Sequence, residues 1–268
     1  MAVSGPLMVG SALVASANRP VGRPQDLNVE DVAIDSRSGS TIAGWYCAHP
    51  DATAAVVITH GIGGTRSSLV ERAKLFFDAG YSVLMIDLQA HGASPGKQIT
   101  LGHLERHDVQ AAVDYIRSHD PKLHIGVVGI SLGGASALLG SPLGIDALVL
   151  ESVFPTIEEA IRNRIAARVG MLEPILSPML LCQIQPRLGI SLGELRPIES
   201  ISKIGCPVLV MSGSEDLHTT EHETKTLYKN ANDPKELAIF EGATHEDLQQ
   251  QNPHQYRTVV LEFLGKHL

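Results

Sequence analysis

A serine set between two glycines marks the first place in this sequence where chemistry is expected. Residues 129–133 read Gly-Ile-Ser-Leu-Gly, with Ser131 at the centre. A β-branched apolar run precedes this G-x-S-x-G pattern and small, apolar residues follow it, so the spacing predicts a strand, a sharp turn and a helix. At such a turn the hydroxyl stands above the sheet edge, where the helix N-terminus favours a developing negative charge. We therefore predict that Ser131 is a nucleophile; the alternative is a glycine-rich turn of a nucleotide-binding fold.

A serine nucleophile needs a base, because its hydroxyl is weakly reactive until the proton is removed. Histidine is the side chain most often used for this step, and the chain contains 12 of them. Functional loops gather at the carboxyl ends of the strands in open parallel sheets. Four histidines follow predicted strands and are therefore candidates: His60, His91, His218 and His245.

The acid that orients this base should also follow a strand. Asp216 lies at the end of the segment Ser-Gly-Ser-Glu-Asp and fits this position, with Glu215 as the neighbouring alternative. His245 follows the last predicted strand. Ser131, Asp216 and His245 thus occur in a serine, acid, histidine order along the chain, which is one of the known orders of a catalytic triad.

The elements that would position these residues alternate between strands and helices. Such alternation predicts an α/β fold with a mostly parallel twisted sheet and helices on both faces. The first two strands are separated by a polar turn and predict an antiparallel hairpin. Capping boxes at Ser68 with Glu71 and at Thr220 with Glu223 predict two helix starts, and Asn252-Pro253 predicts a third. The predicted strands cover residues 28–34, 41–47, 54–59, 82–86, 125–128, 147–150, 207–211 and 235–240, and a further helix covers 101–118.

This alternation stops at residues 153–202, where the sequence has only short helical pieces broken by prolines. We interpret this segment as a small helical cap inserted into a single domain that covers residues 25–268. Its apolar residues are expected both to pack against the core and to line a substrate cleft. They are Met171, Leu172, Ile175, Leu176, Met179, Leu180 and Leu181.

Composition excludes several classes of function. The 268 residues are 44% apolar and 19% charged, which is typical of a globular chain, and the net charge of −8 argues against nucleic acid as a partner. The three cysteines, Cys47, Cys182 and Cys206, are far apart and are expected to be buried, inert thiols without a disulfide.

Residues 1–24 form an apolar arm and a linker ahead of the domain. Residues 1–18 carry no charged side chain, lack the basic start of a signal peptide, and are too short and too rich in serine and glycine for a spanning helix. Three roles stay open: the tail of a longer anchor, a helix packed on the domain, or a flexible arm. We expect either peripheral membrane contact or dimerisation through residues 1–18, and a cytoplasmic or membrane-associated protein.

From about Val29 onward the sequence resembles the α/β-hydrolase family, and in particular compact bacterial esterase-like hydrolases of the serine-aminopeptidase-like branch. This resemblance implies that Ser131 is the nucleophile, His245 the general base and then acid, and Asp216 the residue that orients it. The backbone N–H groups of Ile62 and Leu132 are implied to form the oxyanion hole. The motifs that carry the resemblance are His60-Gly-Ile-Gly-Gly, Asp87-Leu-Gln-Ala-His-Gly-Ala-Ser, Gly129-Ile-Ser-Leu-Gly-Gly, Ser212-Gly-Ser-Glu-Asp216 and Gly242-Ala-Thr-His245.

One loop departs from the family pattern, because this chain has Gln89-Ala90-His91-Gly92 where relatives often have Arg-Gly-His-Gly. This loop is structural in relatives, so we expect no change in the chemistry. A serine rather than an aspartate at the turn also separates the chain from the haloalkane dehalogenases and epoxide hydrolases of the same fold.

The resemblance implies an enzyme that cleaves a small-molecule carboxylic ester through an acyl-enzyme intermediate, with no cofactor and no metal. Cleavage of a thioester, amide or peptide bond is the alternative, and a binding module that has lost catalysis is a third. The pairs His103/His107 and His218/His222 have a spacing that can hold a metal, but a solvated helix face is the favoured interpretation. The same choice, between solvated face and anion binding, applies to Arg162, Arg164 and Arg168.

Overall fold

An eight-stranded sheet runs through the centre of the computed structural model, which describes Gly10, Ser11 and residues 14–268. The expectations for residues 1–9, 12 and 13 lie outside these described residues. The strands of the described part are β1 (Ala17–Asn18), β2 (Glu30–Asp35), β3 (Thr41–Cys47), β4 (Ala54–Thr59), β5 (Ser82–Ile86), β6 (His91–Gly92), β7 (His124–Ile130), β8 (Ala147–Glu151), β9 (Val208–Gly213) and β10 (Lys235–Phe240).

The main sheet has the order β10-β9-β8-β7-β4-β5-β3-β2. The pairs from β10 to β5 are all parallel, and the hairpin β2–β3 joins the sheet antiparallel through β3 and β5. Every residue of β4, β5 and β8 is buried, as expected for strands covered on both faces. The predicted fold class, a mostly parallel sheet with an antiparallel hairpin, is therefore confirmed.

Helices cover both faces of this sheet. One apolar core contains Val109, Leu132 and Leu227, and the other contains Phe76 and Tyr256. The helices of the described residues are α1 (Val70–Asp78), α2 (Glu105–His119), α3 (Leu132–Leu139), α4 (Ile157–Val169), α5 (Glu173–Leu181), α6 (Ile184–Leu188), α7 (Ile198–Ile201), α8 (Glu221–Asn230), α9 (Leu248–Gln251) and α10 (Pro253–His267).

Two predicted helix starts are wrong. The Ser68 hydroxyl donates a hydrogen bond to Thr65 O at 2.7 Å within a 3₁₀ turn, so it does not cap α1, which begins at Val70. Helix α2 begins at Glu105 rather than at 101, because Leu101 and Gly102 have positive φ angles of 58° and 105°. The capping box of Thr220 with Glu223 and the start at Pro253 are confirmed.

Between β8 and β9 the structure has only helices and 3₁₀ turns, and part of this segment is exposed. Met171 is 94% exposed and Ile175 is 62% exposed, and Val169, Leu172 and Met179 are exposed as well. The expectation that this apolar set lines a cleft is therefore wrong for most members, because the turn after α4 points them to solvent. The stretch Ile157–Leu188 is long and apolar enough to cross a membrane by length and composition alone, although it is divided into three helices.

The described part of the N-terminal arm packs on the domain. Val14 is buried, and β1 pairs in parallel with β6 in a small separate sheet. The Asn18 amide donates to Ser94 O at 2.6 Å, and residues 19–24 have no helix or strand.

All three cysteines are free thiols. Cys47 is buried as expected, whereas Cys206 is half-buried and Cys182 is exposed, so the expectation of buried thiols is wrong for Cys182.

Candidate active site

Ser131 occupies the sharp turn between β7 and α3. Its φ and ψ angles are 49° and −109°, a left-handed conformation that an L-residue adopts only under strain. A Cβ on Gly129 would lie 2.5 Å from the Cα of Gly134, and a Cβ on Gly133 would collide with Thr59. Both flanking glycines are therefore required by close approach of the backbone, as the sequence pattern predicts.

The Ser131 hydroxyl is buried and accepts or donates no hydrogen bond among the described residues. Its backbone N–H donates to Glu151 O at 2.8 Å, which ties the turn to the end of β8. Leu132 is the first residue of α3, where a backbone N–H has no partner within the helix. The turn thus presents an unpartnered hydroxyl beside the N-terminus of a helix.

Asp216 and His245 meet at the carboxyl end of the sheet. Nδ1 of His245 lies 2.8 Å from Oδ2 and 3.1 Å from Oδ1 of Asp216, whose carboxylate also accepts from the N–H groups of His218 and Thr219 at 2.8 Å. Burial acts to raise the pKa of Asp216, but the hydrogen bonds from His245 and these N–H groups outweigh it and lower the pKa. An ionised carboxylate only accepts, so Nδ1 carries the proton and Nε2 is left as the basic nitrogen.

The structure joins His245 to Asp216 but makes no hydrogen bond from Ser131 to His245. The His245 ring lies in a groove whose walls include Gly61 and Ile130, and Ile130 directly precedes Ser131. The serine-to-histidine bond of a triad is often long before substrate binds. Within the described part of the chain, Glu215, the alternative acid, makes no hydrogen bond to the His245 ring.

His60 is held by two hydrogen bonds that exclude it as the base. Its Nε2 accepts from Leu88 N–H at 3.1 Å, so the proton is on Nδ1, which donates to Gly61 O at 2.8 Å. Burial and, to a smaller extent, the neighbouring His91 lower the pKa of His60 to about 3. Both nitrogens of this neutral ring are occupied, so His60 holds the loop in place.

This loop lies against the nucleophile. A Cβ on Gly61 would be 3.4 Å from the Cβ of Ser131, and Ile62 lines the same cavity as Ser131 and Leu132. The Gly61 carbonyl and the Ile62 N–H belong to one planar trans peptide and point in opposite directions. The same carbonyl also accepts from the Gly64 N–H at 3.0 Å, so His60 and this turn together fix the direction of the Ile62 N–H.

The other candidate histidines have different surroundings. His91 Nδ1 lies 2.9 Å from Gln89 O, and burial lowers its pKa. The ring of His218 stands edge-on to that of His245 with centroids 4.8 Å apart, and burial, followed by the His245 charge, lowers its pKa. Neither contacts Asp216 through its ring nitrogens, and the described residues contain no group of three side chains able to hold a metal.

A buried ionic cluster beside the site was not predicted from the sequence. Arg72 Nη1 lies 2.6 Å from Asp247, Nη2 lies 2.5 Å from Glu151, and Nε lies 3.1 Å from the hydroxyl of Tyr256. The Glu151 charge raises the pKa of Arg72 against the opposing effect of burial. The cluster connects the loop that carries His245 to the end of β8, where the Glu151 carbonyl accepts from the Ser131 N–H. A signal was present, because an arginine occupies the apolar face of α1.

The cavity in front of Ser131 is mostly apolar. It has about 640 Å³ of empty volume, part of it open to solvent. Two arginines, Arg164 and Arg187, and the amide of Gln183 also line this cavity. The apolar walls are formed by Val14, Ile62, Leu101, Leu132, Phe154, Ile157, Ala160, Ile161, Leu180 and Ile184.

Comparison with known proteins places the chain in a family. A family model described as serine aminopeptidase, S33, matches residues 50–180, which include the His60 loop and the Ser131 turn. The Bacillus subtilis (strain 168) protein YqkD is 30% identical over 238 residues, which cover 86% of this chain and 77% of YqkD. The chain belongs to the α/β-hydrolase family. This α/β hydrolase is also 26% identical over 265 residues to the Arabidopsis thaliana protein WAV2, described as an alpha/beta hydrolase domain-containing protein, with 91% of this chain and 82% of WAV2 covered.

The fold of this α/β hydrolase is similar to that of the Pyrococcus furiosus esterase PF2001. The TM-score is 0.79 at 22% sequence identity, and the match covers 95% of this chain and 98% of that structure. At this identity the similarity establishes the α/β-hydrolase fold and leaves the reaction to be argued from the site.

Proposed function

We propose that this α/β hydrolase is a serine hydrolase that cleaves carboxylic esters through an acyl-enzyme intermediate. The observation that carries the proposal is the Asp216–His245 hydrogen bond of 2.8 Å at the sheet edge where a strained, buried serine has a hydroxyl with no hydrogen-bond partner among the described residues. Asp216 keeps the histidine in the tautomer whose Nε2 accepts a proton. Ser131 at the helix N-terminus supplies the hydroxyl that loses it.

The proposed reaction has two halves. Ser131 Oγ attacks the ester carbonyl while His245 takes its proton, and the N–H groups of Ile62 and Leu132 stabilise the negative carbonyl oxygen. His245 then gives the proton to the leaving alcohol, which leaves the acyl group on Ser131. In the second half His245 removes a proton from water, the hydroxide attacks the acyl-enzyme, and the proton returns to Ser131 as the acid leaves.

The choice of an ester over other acyl compounds rests on the similar solved structures. The solved structures similar to this chain include proteins described as esterases, among them PF2001 and an Exiguobacterium antarcticum esterase. The family model instead carries the name of an aminopeptidase, so amide cleavage is the second candidate. Both reactions use the same triad, and the apolar cavity accepts an acyl chain in either case.

A substrate panel tests the proposal. Purified wild-type protein is assayed on nitrophenyl esters of several chain lengths, on an acyl-CoA and on aminoacyl anilides, beside Ser131→Ala. The variant should lose about 10⁶-fold in turnover on the ester. Ser152→Ala is the matched control, because Ser152 is also buried, has a positive φ of 51° and has an unpartnered hydroxyl. Retention of most esterase activity by Ser131→Ala contradicts the assignment, and faster cleavage of the anilides favours the amidase.

For the N-terminal arm we propose peripheral membrane contact or dimerisation. The support is the absence of charged side chains from residues 1–18. Because Val14 is part of the cavity wall, the deletion that tests this proposal should remove residues 1–9 only. Unchanged solution mass and unchanged liposome binding after the deletion would contradict it.

A further inference from the structure

The three arginines of α4 have different surroundings, although the sequence gives no reason to separate them. Arg162 and Arg168 are exposed. Arg164 is half-buried and lines the cavity that contains Ser131. Among the three, Arg164 is therefore the one whose guanidinium is placed beside the proposed nucleophile.

Arg164 has no ion pair within the described residues. Its hydrogen bond goes from Nη1 to Ala160 O at 3.2 Å, one turn back in the same helix. The two buried arginines of this chain are paired with carboxylates: Arg66 with Asp87, and Arg72 with Glu151 and Asp247. Arg164 faces the cavity without such a pair within the described part of the chain.

The carboxylates that attract Arg164 are held by other groups. Asp216 is bonded to His245, and both oxygens of Glu223 accept from the Asn163 amide at 2.7 and 2.8 Å. Burial lowers the pKa of Arg164, but a guanidinium stays protonated at neutral pH. The cavity therefore contains a cation whose nearby carboxylates are already engaged, and removing such a cation from water is unfavourable unless an anion compensates for it.

We propose that Arg164 binds an anionic group of the substrate, so that the preferred substrates are esters that carry a carboxylate or a phosphate in addition to the scissile bond. The apolar walls hold the intervening carbon chain, and the planar guanidinium donates two parallel hydrogen bonds to two oxygens of the anion. This inference rests on the proposed function, since it names the substrate class of the same site.

The first test compares matched neutral and anionic esters. Mono-4-nitrophenyl glutarate and 4-nitrophenyl valerate have acyl chains of the same length, and only the former carries a carboxylate. Wild-type enzyme should prefer the glutarate in kcat/KM. Arg164→Met keeps the unbranched stem of the side chain and removes the charged end, and it should lower the preference by about 10- to 100-fold, mainly through KM. Arg164→Lys should retain an intermediate preference, and Arg162→Met, on the exposed face of the same helix, should retain the full one.

The second measurement uses the wild-type enzyme alone, so it does not depend on the folding of a variant. Hexanoate, hexyl phosphate and hexanol are compared as competitive inhibitors of valerate hydrolysis. The proposal predicts that the two anions inhibit more strongly than the alcohol, and the stronger of the two identifies a carboxylate or a phosphate as the group that is bound. Equal inhibition by all three overturns the proposal.

Two further outcomes also decide the matter. If Arg164→Met lowers kcat/KM equally for both esters, Arg164 acts on the reaction through Asp216 and the proposal is wrong. If wild-type enzyme cleaves the neutral ester but shows no preference for the anionic one, the substrate-class proposal fails while the serine hydrolase stands. If the serine-hydrolase proposal itself were wrong, Ser131→Ala would instead cleave the ester as fast as wild type does.

Discussion

Replacing His60 with alanine should change the pH dependence of stability. His60 is 1% exposed, and burial lowers its pKa to about 3. An unfolded histidine titrates near pH 6.5, so between about pH 3 and pH 6.5 the unfolded chain binds one proton that the folded chain does not. The stability that depends on neutral His60 is therefore complete above about pH 7 and falls as the pH drops below 6.5.

The size of the effect follows from these two pKa values. At pH 5 the linkage lowers the wild-type free energy of unfolding by about 2 kcal/mol relative to pH 8. At pH 8 the substitution leaves the buried Leu88 N–H without its acceptor, at a cost of about 1–3 kcal/mol. The variant is thus less stable than wild type at pH 8, and the difference between the two should shrink by about 2 kcal/mol at pH 5.

Urea unfolding at the two pH values measures this difference. His254→Ala is the control, because His254 is an exposed histidine at the start of α10. The same difference between wild type and His60→Ala at both pH values would refute the reasoning, since it would mean that His60 binds its proton equally in the folded and unfolded states.

The same substitution tests the loop at the active site. Without the imidazole, the Gly61 carbonyl keeps only the Gly64 N–H, at 3.0 Å, as a donor, so the Gly61–Ile62 peptide is held less firmly. One oxyanion donor is worth about 10²–10³ in kcat, which sets the upper limit of the expected loss on a nitrophenyl ester. A wild-type kcat in His60→Ala would show that the ring does not orient the Ile62 N–H.

Three further predictions concern the supports of the site. Arg72→Met leaves Glu151 and Asp247 without their cation and should lower the free energy of unfolding by about 3–5 kcal/mol. Lys74→Met, which breaks exposed ion pairs on the same helix, should lower it by less than about 1 kcal/mol. Equal losses for the two variants in urea unfolding would contradict this prediction. Gly129→Ala places a Cβ against the backbone of Gly134, so it should lower the free energy of unfolding by about 1–3 kcal/mol and also lower the esterase activity. A variant as stable and as active as wild type would contradict the close approach. Thr220→Ala should lower stability by about 1 kcal/mol through loss of the cap on α8, and an unchanged urea midpoint would contradict it.

The parts of the fold that were predicted correctly are those where a local pattern and the tertiary structure agree. Strands β4 and β5 have the predicted bounds, because a short apolar run between polar loops has one stable arrangement in a covered sheet. The Ser131 turn was also predicted: Gly129 is required by a contact with Gly134, within a few residues of the serine, whereas the close approach of Gly133 to Thr59 on the neighbouring strand is a long-range contact.

The predictions that failed depend on contacts between distant segments. Strand β1 forms by pairing with β6, more than 70 residues away along the chain, so no local sequence pattern predicts it. Ser68 lies in a 3₁₀ turn instead of capping a helix, and in this turn the Arg66 N–H donates to the Asp87 carboxylate. Apolar residues such as Met171 match a lining pattern by type, but the turn after α4 directs them outward.

The position of the site residues was predictable only in part. Strand order keeps Asp216 and His245 among the candidates at one edge of the sheet, and the resemblance to the α/β-hydrolase family selects them from the alternatives. The sequence did not distinguish Arg164 from Arg162 and Arg168, because the difference arises from how α4 packs over the cavity. The Arg72 cluster was hidden for a similar reason, since its partners come from β8 and from the loop after β10.

The measurement that tests the central claim most directly is covalent labelling with a fluorophosphonate, followed by intact mass and peptide mapping. The account predicts one adduct per chain, located on Ser131, with labelling abolished in Ser131→Ala, preserved in Ser152→Ala and strongly slowed in His245→Ala. Labelling at another residue, or folded wild-type protein that does not react, would contradict it.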